Sequence, residues 1–161
     1  MVELAERAGS SNAALGARGD MADVALSAGR ADEAVRIGLD LERQIGMTRE
    51  QSILTLVRTN LTGAMLAQGA IEPARAMAKS AWPLAKQFDR LDWLVDNLAW
   101  LVAVEGHARQ AARLLGFADA MYASSGRIRQ INEGRAAERR GIRVRLRFEL
   151  ERERELVPFE H

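Results

Sequence analysis

The sequence predicts an all-α protein built from helical hairpins written in tandem. Three observations carry that reading. Alanine occurs 28 times against eight aromatic side chains, and alanine is the strongest helix former with little β preference. Side chains of like character recur at steps of four and seven, which keeps them on one helical face. One pattern returns at intervals of 40 and 37 residues, counted between Gly29, Gly69 and Gly106. Periods of that size mark helical-repeat arrays.

The repeat extends well beyond its glycine. An alanine follows each one five residues later, at Ala34, Ala74 and Ala111. Nine residues before each sit Asp20, Asn60 and Asn97. Next come Met21, Leu61 and Leu98, then the small Ala22, Thr62 and Ala99. Steps of four and seven past the alanines give Gly38 and Leu41, Ala78 and Ala81, Leu115 and Ala118. An apolar stripe thus forms a first helix, and the glycine ends it in the left-handed conformation at no steric cost. A second helix folds back, with small residues where the pair crosses. Neither helix buries its stripe alone, so stacked neighbours complete the core.

The elements follow in order. A first helix is expected over about 11–28 and its partner over about 31–45, together a repeat of about 11–46. Thr48 is expected to cap the next helix, with Gln51 completing a capping box, and that helix ends near Gln68. Its partner starts at Ile71, with Pro73 in the tolerant first turn. Pro83 falls inside that helix and is expected to kink or split it near Trp82. This second repeat covers about 48–88. The third, about 90–126, holds helices over about 90–105 and 107–123, and Ser124-Ser125-Gly126 breaks the chain. A C-terminal helix is expected over about 128–156 to close the array. Within it, Ile142, Val144, Leu146, Phe148 and Leu150 alternate with charged residues. That is also strand periodicity, so 141–151 reads as helix or strand. The whole, 1–161, is read as one domain.

Composition excludes several classes. The absence of cysteine rules out disulfides, thiolate metal sites and a cysteine nucleophile. The longest uncharged run, Thr59 to Ile71, is too short to span a membrane. Glu3, Glu6 and Arg7 argue against a signal peptide, and a cytoplasmic protein is expected. A net charge of +1 supplies no global field for nucleic acid. Eight arginines lie between Arg127 and Arg147, but five acids follow from Phe148 to His161. The expected role of that stretch is a solvated or capping helix, not a nucleic-acid arm.

The glycine, small-residue and alanine columns resemble the tetratricopeptide repeat. The third unit is more specific. Leu98-Ala99-Trp100-Leu101, Gly106-His107 and the run from Ala111 to Ala120 resemble the C-terminal helical-repeat region of large bacterial transcriptional regulators. Asn132-Glu133 and the arginines after them are similar to that family's ending. The resemblance covers about 22–147. It implies a right-handed superhelix of about three antiparallel helix pairs with a C-terminal capping helix. It also implies a sensor or interaction role beside a winged-helix or helix-turn-helix domain and an ATPase core. Neither a phosphate-binding glycine loop nor a recognition-helix pattern is evident in this sequence, and small aliphatics replace most consensus aromatics.

The candidate residues follow from both readings. In tetratricopeptide domains that clamp peptides, the first-helix asparagine bonds the backbone of an extended peptide. Residue by residue, the resemblance carries this role to Asn60 and Asn97, with Asp20 as a departure. An amide both donates and accepts, as a peptide group requires; the competing role is bonding between neighbouring helices. Trp93, Asn97 and Trp100 share a face at i, i+4 and i+7. They form either a recognition surface or core packing between hairpins. His107 reads as a turn residue. Asp89 and Asp92 read as helix N-terminal acids, with Asp96 on the polar face; the alternative for all three is a hard cation. The expected function is a non-catalytic module that binds a protein or peptide segment, or other domains of a parent regulator, without a cofactor. The alternative is homodimerisation through the tail or an array end.

Overall fold

A computed structural model describes residues 11–46 and 50–129. Among these residues the chain is all-helical, with six α-helices and no strand. They are α1 (Ser11–Ser27), α2 (Ala31–Gly46), α3 (Gln51–Gln68), α4 (Ile71–Gln87), α5 (Leu91–Val104) and α6 (Ala108–Ser125). By contacts the chain divides into two compact units, Met1–Leu94 and Val95–His161, and the division falls inside α5.

The recurring glycines do what the repeat requires. Gly29, Gly69 and Gly106 lie between helices with φ of 82°, 79° and 86°. At each, the glycine N–H donates three residues back, to the carbonyls of Leu26, Leu66 and Ala103. The next N–H donates five residues back, from Arg30 to Ala25, Ala70 to Met65 and His107 to Val102. This double bond pattern satisfies carbonyls that a helix end leaves open. The recurring alanine then locks the following helix: Ala34, Ala74 and Ala111 donate to the carbonyls of Arg30, Ala70 and His107. The same device joins α4 to α5 without a glycine, where Asp89 takes φ of 52° and Arg90 N–H reaches Ala85 O at 2.8 Å.

Within the first unit, α1 packs on α2, α2 on α3 and α3 on α4, with a lighter contact of α1 on α3. Helix α3 is therefore covered on several sides. Thr55, Val57, Thr59, Leu61, Thr62, Ala64, Met65 and Leu66 are all buried. Two of its buried hydroxyls bond back along the helix, Thr55 to Gln51 O and Thr62 to Arg58 O, which removes the cost of burying them. The second-helix columns also point inward. Ala34, Gly38, Leu41 and Ile45 are buried on α2, and Ala74, Ala78, Ala81 and Ala85 on α4. An all-alanine face lets α4 lie close to α3. Gly38 permits closer approach still: a Cβ there would sit 2.7 Å from Leu61 Cγ and Cδ2.

Arginine side chains tie these helices at their margins. Arg58 of α3 donates to Glu42 of α2 at 2.8 Å and to the Ser80 carbonyl of α4 at 3.2 Å. Arg18 of α1 bonds Gln44 at 2.8 Å and pairs with Asp40, both on α2.

In the second unit, the α5 residues Val95, Asp96, Asn97, Ala99, Trp100 and Leu101 are all buried. On α6 the equivalent column is Ala111, Leu115, Ala118 and Tyr122. A left-handed Gly126 ends that helix.

Two expectations are corrected. Pro83 does not split its helix: α4 runs unbroken from Ile71 to Gln87 with the proline inside it. Pro83 faces solvent, where water can serve the carbonyl that its missing N–H leaves open. The capping box at the start of α3 is not formed as expected. The helix begins at Gln51 with Glu50 in the cap position and no side-chain cap, so Gln51 stands two residues too early to close a box. Thr48 itself lies outside the described residues; of the C-terminal helix expected over about 128–156, residues 128 and 129 are non-helical and 130–156 lie outside the described residues.

Candidate functional site

The first-helix column separates into different environments. On α1 Asp20 is exposed, and on α3 Asn60 is half-buried. Asn60 lines a shallow cleft in the first unit with Val57 and Leu61 of its own helix. Gly19 and Ala22 of α1 and Ala34, Gly38 and Leu41 of α2 complete the lining. The cleft exists because its neighbours are small. A Cβ on Gly19 would find only Leu56 Cδ2, at 3.9 Å, and the small side chains of Ala22 and Ala34 leave the rest of the space, whereas Leu61 fills the space over Gly38. Asn60 brings the one side-chain amide to a lining that is otherwise apolar or backbone. Among the described residues, no side-chain hydrogen bond engages that amide. Its donor and acceptor both remain for an incoming group.

The α5 candidates divide between the two units. Trp93, in the first unit, is half-buried with the Arg90 guanidinium over its ring at 4.8 Å. Asn97 and Trp100, in the second unit, are 7% and 5% exposed. These two are packed inside, so their direct contribution to a surface is small. In the first unit Asn60 lines the cleft, and Asp20 and Trp93 are not part of its lining. His107 is exposed at the α5–α6 turn, in the position expected of it.

The three aspartates near α5 do not converge. Among the described residues, no group of three His, Cys, Asp or Glu is placed to hold a metal ion. Asp89 occupies the left-handed turn position and Asp92 the first turn of α5. The expectation of Asp96 as a polar-face residue is corrected. Its side chain is fully buried and receives Arg129 through both oxygens, Oδ2 at 2.8 Å from Nε and Oδ1 at 2.9 Å from Nη2. Arg129 also pairs with Asp119 of α6 and lies over the Tyr122 ring at 4.9 Å. Burial by itself disfavours the Arg129 charge, but hydrogen bonds to Asp96 and Asp119 outweigh it and raise its pKa. The sequence carried a weak signal for this cluster: Asp119 and Tyr122 stand three apart on one helical face. Nothing in the sequence joined them to a residue 33 positions after Asp96.

Comparison with protein-family models, curated proteins and solved structures finds no match to this chain. No described helix is long and apolar enough to cross a membrane.

Proposed function

We propose that the chain is a non-catalytic interaction module, a tetratricopeptide-like array of helical hairpins that captures a protein or peptide segment. By its resemblance it serves as the sensor or interaction part of a bacterial transcriptional regulator. The right-handed superhelix and the C-terminal cap belong to the same proposal. The observation that carries it is the Asn60 amide, half-buried in a small apolar cleft and without a side-chain partner among the described residues. Such an amide accepts a peptide N–H and donates to a peptide carbonyl, while the apolar lining takes a small side chain. Four turns of one design support the array, because they hold successive helices in a fixed register.

The test is selection of peptides from a random library on the full chain, followed by titration against Asn60→Ala. Loss of hydrogen bonds worth about 1.5 kcal/mol weakens capture about tenfold, with helicity unchanged by circular dichroism. Equal affinity in a folded Asn60→Ala variant would remove the cleft from the proposal. Asn97 and Trp100 are poorer probes, since their burial makes truncation a folding experiment.

Self-association through an array end is the second reading. Met21 and Val24 of α1 are 52% and 62% exposed and lie i, i+3 on one face. Under this reading, light scattering finds a dimer that Val24→Glu converts to monomer. A monomer mass at every concentration excludes it.

A further inference from the structure

The side chains around Arg129 form a built receptor and not a chance surface pair. Asp96 is fully buried and presents one carboxylate oxygen to Nε and the other to Nη2 of the guanidinium, at 2.8 and 2.9 Å. Asp119 takes the remaining edge, and Tyr122 offers its ring face. Two carboxylates and an aromatic face match the planar fork and the π-face of a guanidinium, and match an ammonium poorly. The occupant enters from outside the helices. Past the left-handed Gly126 the backbone is non-helical, Arg127 and Ile128 are exposed, and Arg129 alone turns inward, with 18% of its side chain accessible.

We infer that Asp96, Asp119 and Tyr122 form a guanidinium-binding socket whose resident ligand is the chain's own Arg129, so that this side chain helps to tie residues 126–129 to their unit. The socket then retains affinity for a guanidinium ion supplied from solution once Arg129 is removed. It is built from residues of the second unit and the Asn60 cleft from residues of the first, so the failure of either proposal leaves the other standing.

The experiment follows thermal unfolding of the full chain in wild type, Arg129→Ala, Arg129→Lys and the double variant Asp96→Asn with Arg129→Ala. Removing Arg129 takes the bidentate cation from a fully buried carboxylate, and the midpoint falls by about 10 °C. Lysine restores little of it, because an ammonium cannot make the bidentate contact. Methylguanidinium at tens of millimolar raises the Arg129→Ala midpoint saturably. Methylammonium at equal concentration does not, and the double variant responds to neither ion more than wild type does. Should Arg129→Ala fail to fold, refolding yield with the two ions gives the same comparison. Asp119→Asn removes only a half-exposed partner and speeds amide exchange at 126–129. The inference is overturned by an undiminished midpoint in Arg129→Ala, by equal effects of the two ions, by equal rescue of the double variant, or by unchanged exchange in Asp119→Asn.

Discussion

At the scale of single residues, Gly38 is the most tightly packed of the described glycines. A methyl added there meets Leu61 Cγ and Cδ2 at 2.7 Å, and Cγ is not the free end of a flexible chain. Either α2 and α3 move apart or Leu61 leaves its rotamer, so Gly38→Ala costs about 1–3 kcal/mol by overpacking. Leu61→Ala alone opens a cavity and costs about 2–5 kcal/mol. Together the two changes exchange volume across one contact, so urea midpoints show the double variant more stable than the sum of the single losses. Additive losses would place the strain of Gly38→Ala elsewhere. Gly38 was legible as a small-residue column, but its closeness to Leu61 was not, because a column records size and not distance. Asp96 shows the same limit more sharply. Three aspartates at helical steps suggest a polar face, and only the fold reveals that the last is closed off with Arg129 as its counter-ion.

At the scale of elements, the turns were readable because their requirement is local. A helix that must end and reverse in one residue needs positive φ, and glycine adopts it without penalty. That argument found Gly29, Gly69 and Gly106, and it missed Asp89, where an ordinary residue takes the same conformation. Pro83 was the opposite case: the local rule was sound and the setting softened it. Inside an unbroken α4, the proline leaves the Lys79 carbonyl without its intrahelical donor. The neighbouring Ser80 carbonyl receives Arg58. An interior proline costs a helix about 3 kcal/mol relative to alanine, offset by about 1 kcal/mol from its stiffening of the unfolded chain. Pro83→Ala therefore raises stability by about 2 kcal/mol, read as a higher urea midpoint at unchanged slope. A gain absent in Pro83→Ala but present when Arg58 is also replaced by alanine would mean that the proline positions the Ser80 carbonyl for Arg58.

At the scale of the whole molecule, the all-helical class and the alternation of buried columns followed from a period of about forty residues, because repetition constrains every copy at once. The candidate site followed less well. Equivalent positions in a repeat share a backbone register but not an environment: Asp20 is exposed, Asn60 lines a cleft and Asn97 is buried. What differs is the covering each copy receives, which no single copy encodes. The same logic bears on cooperativity. In an array whose stability is a sum of local and nearest-neighbour terms, a lesion weakens its own surroundings most. Gly38→Ala disturbs the contact of α2 with α3 in one compact unit, and Arg129→Ala disturbs α6 in the other. Native-state hydrogen exchange under mild destabilising conditions separates the possibilities. Gly38→Ala is expected to lower protection in α1–α3 more than in α6, and Arg129→Ala the reverse. A loss equal across all helices in both variants would mean that the chain opens only as one body, with coupling along the array stronger than nearest-neighbour terms supply.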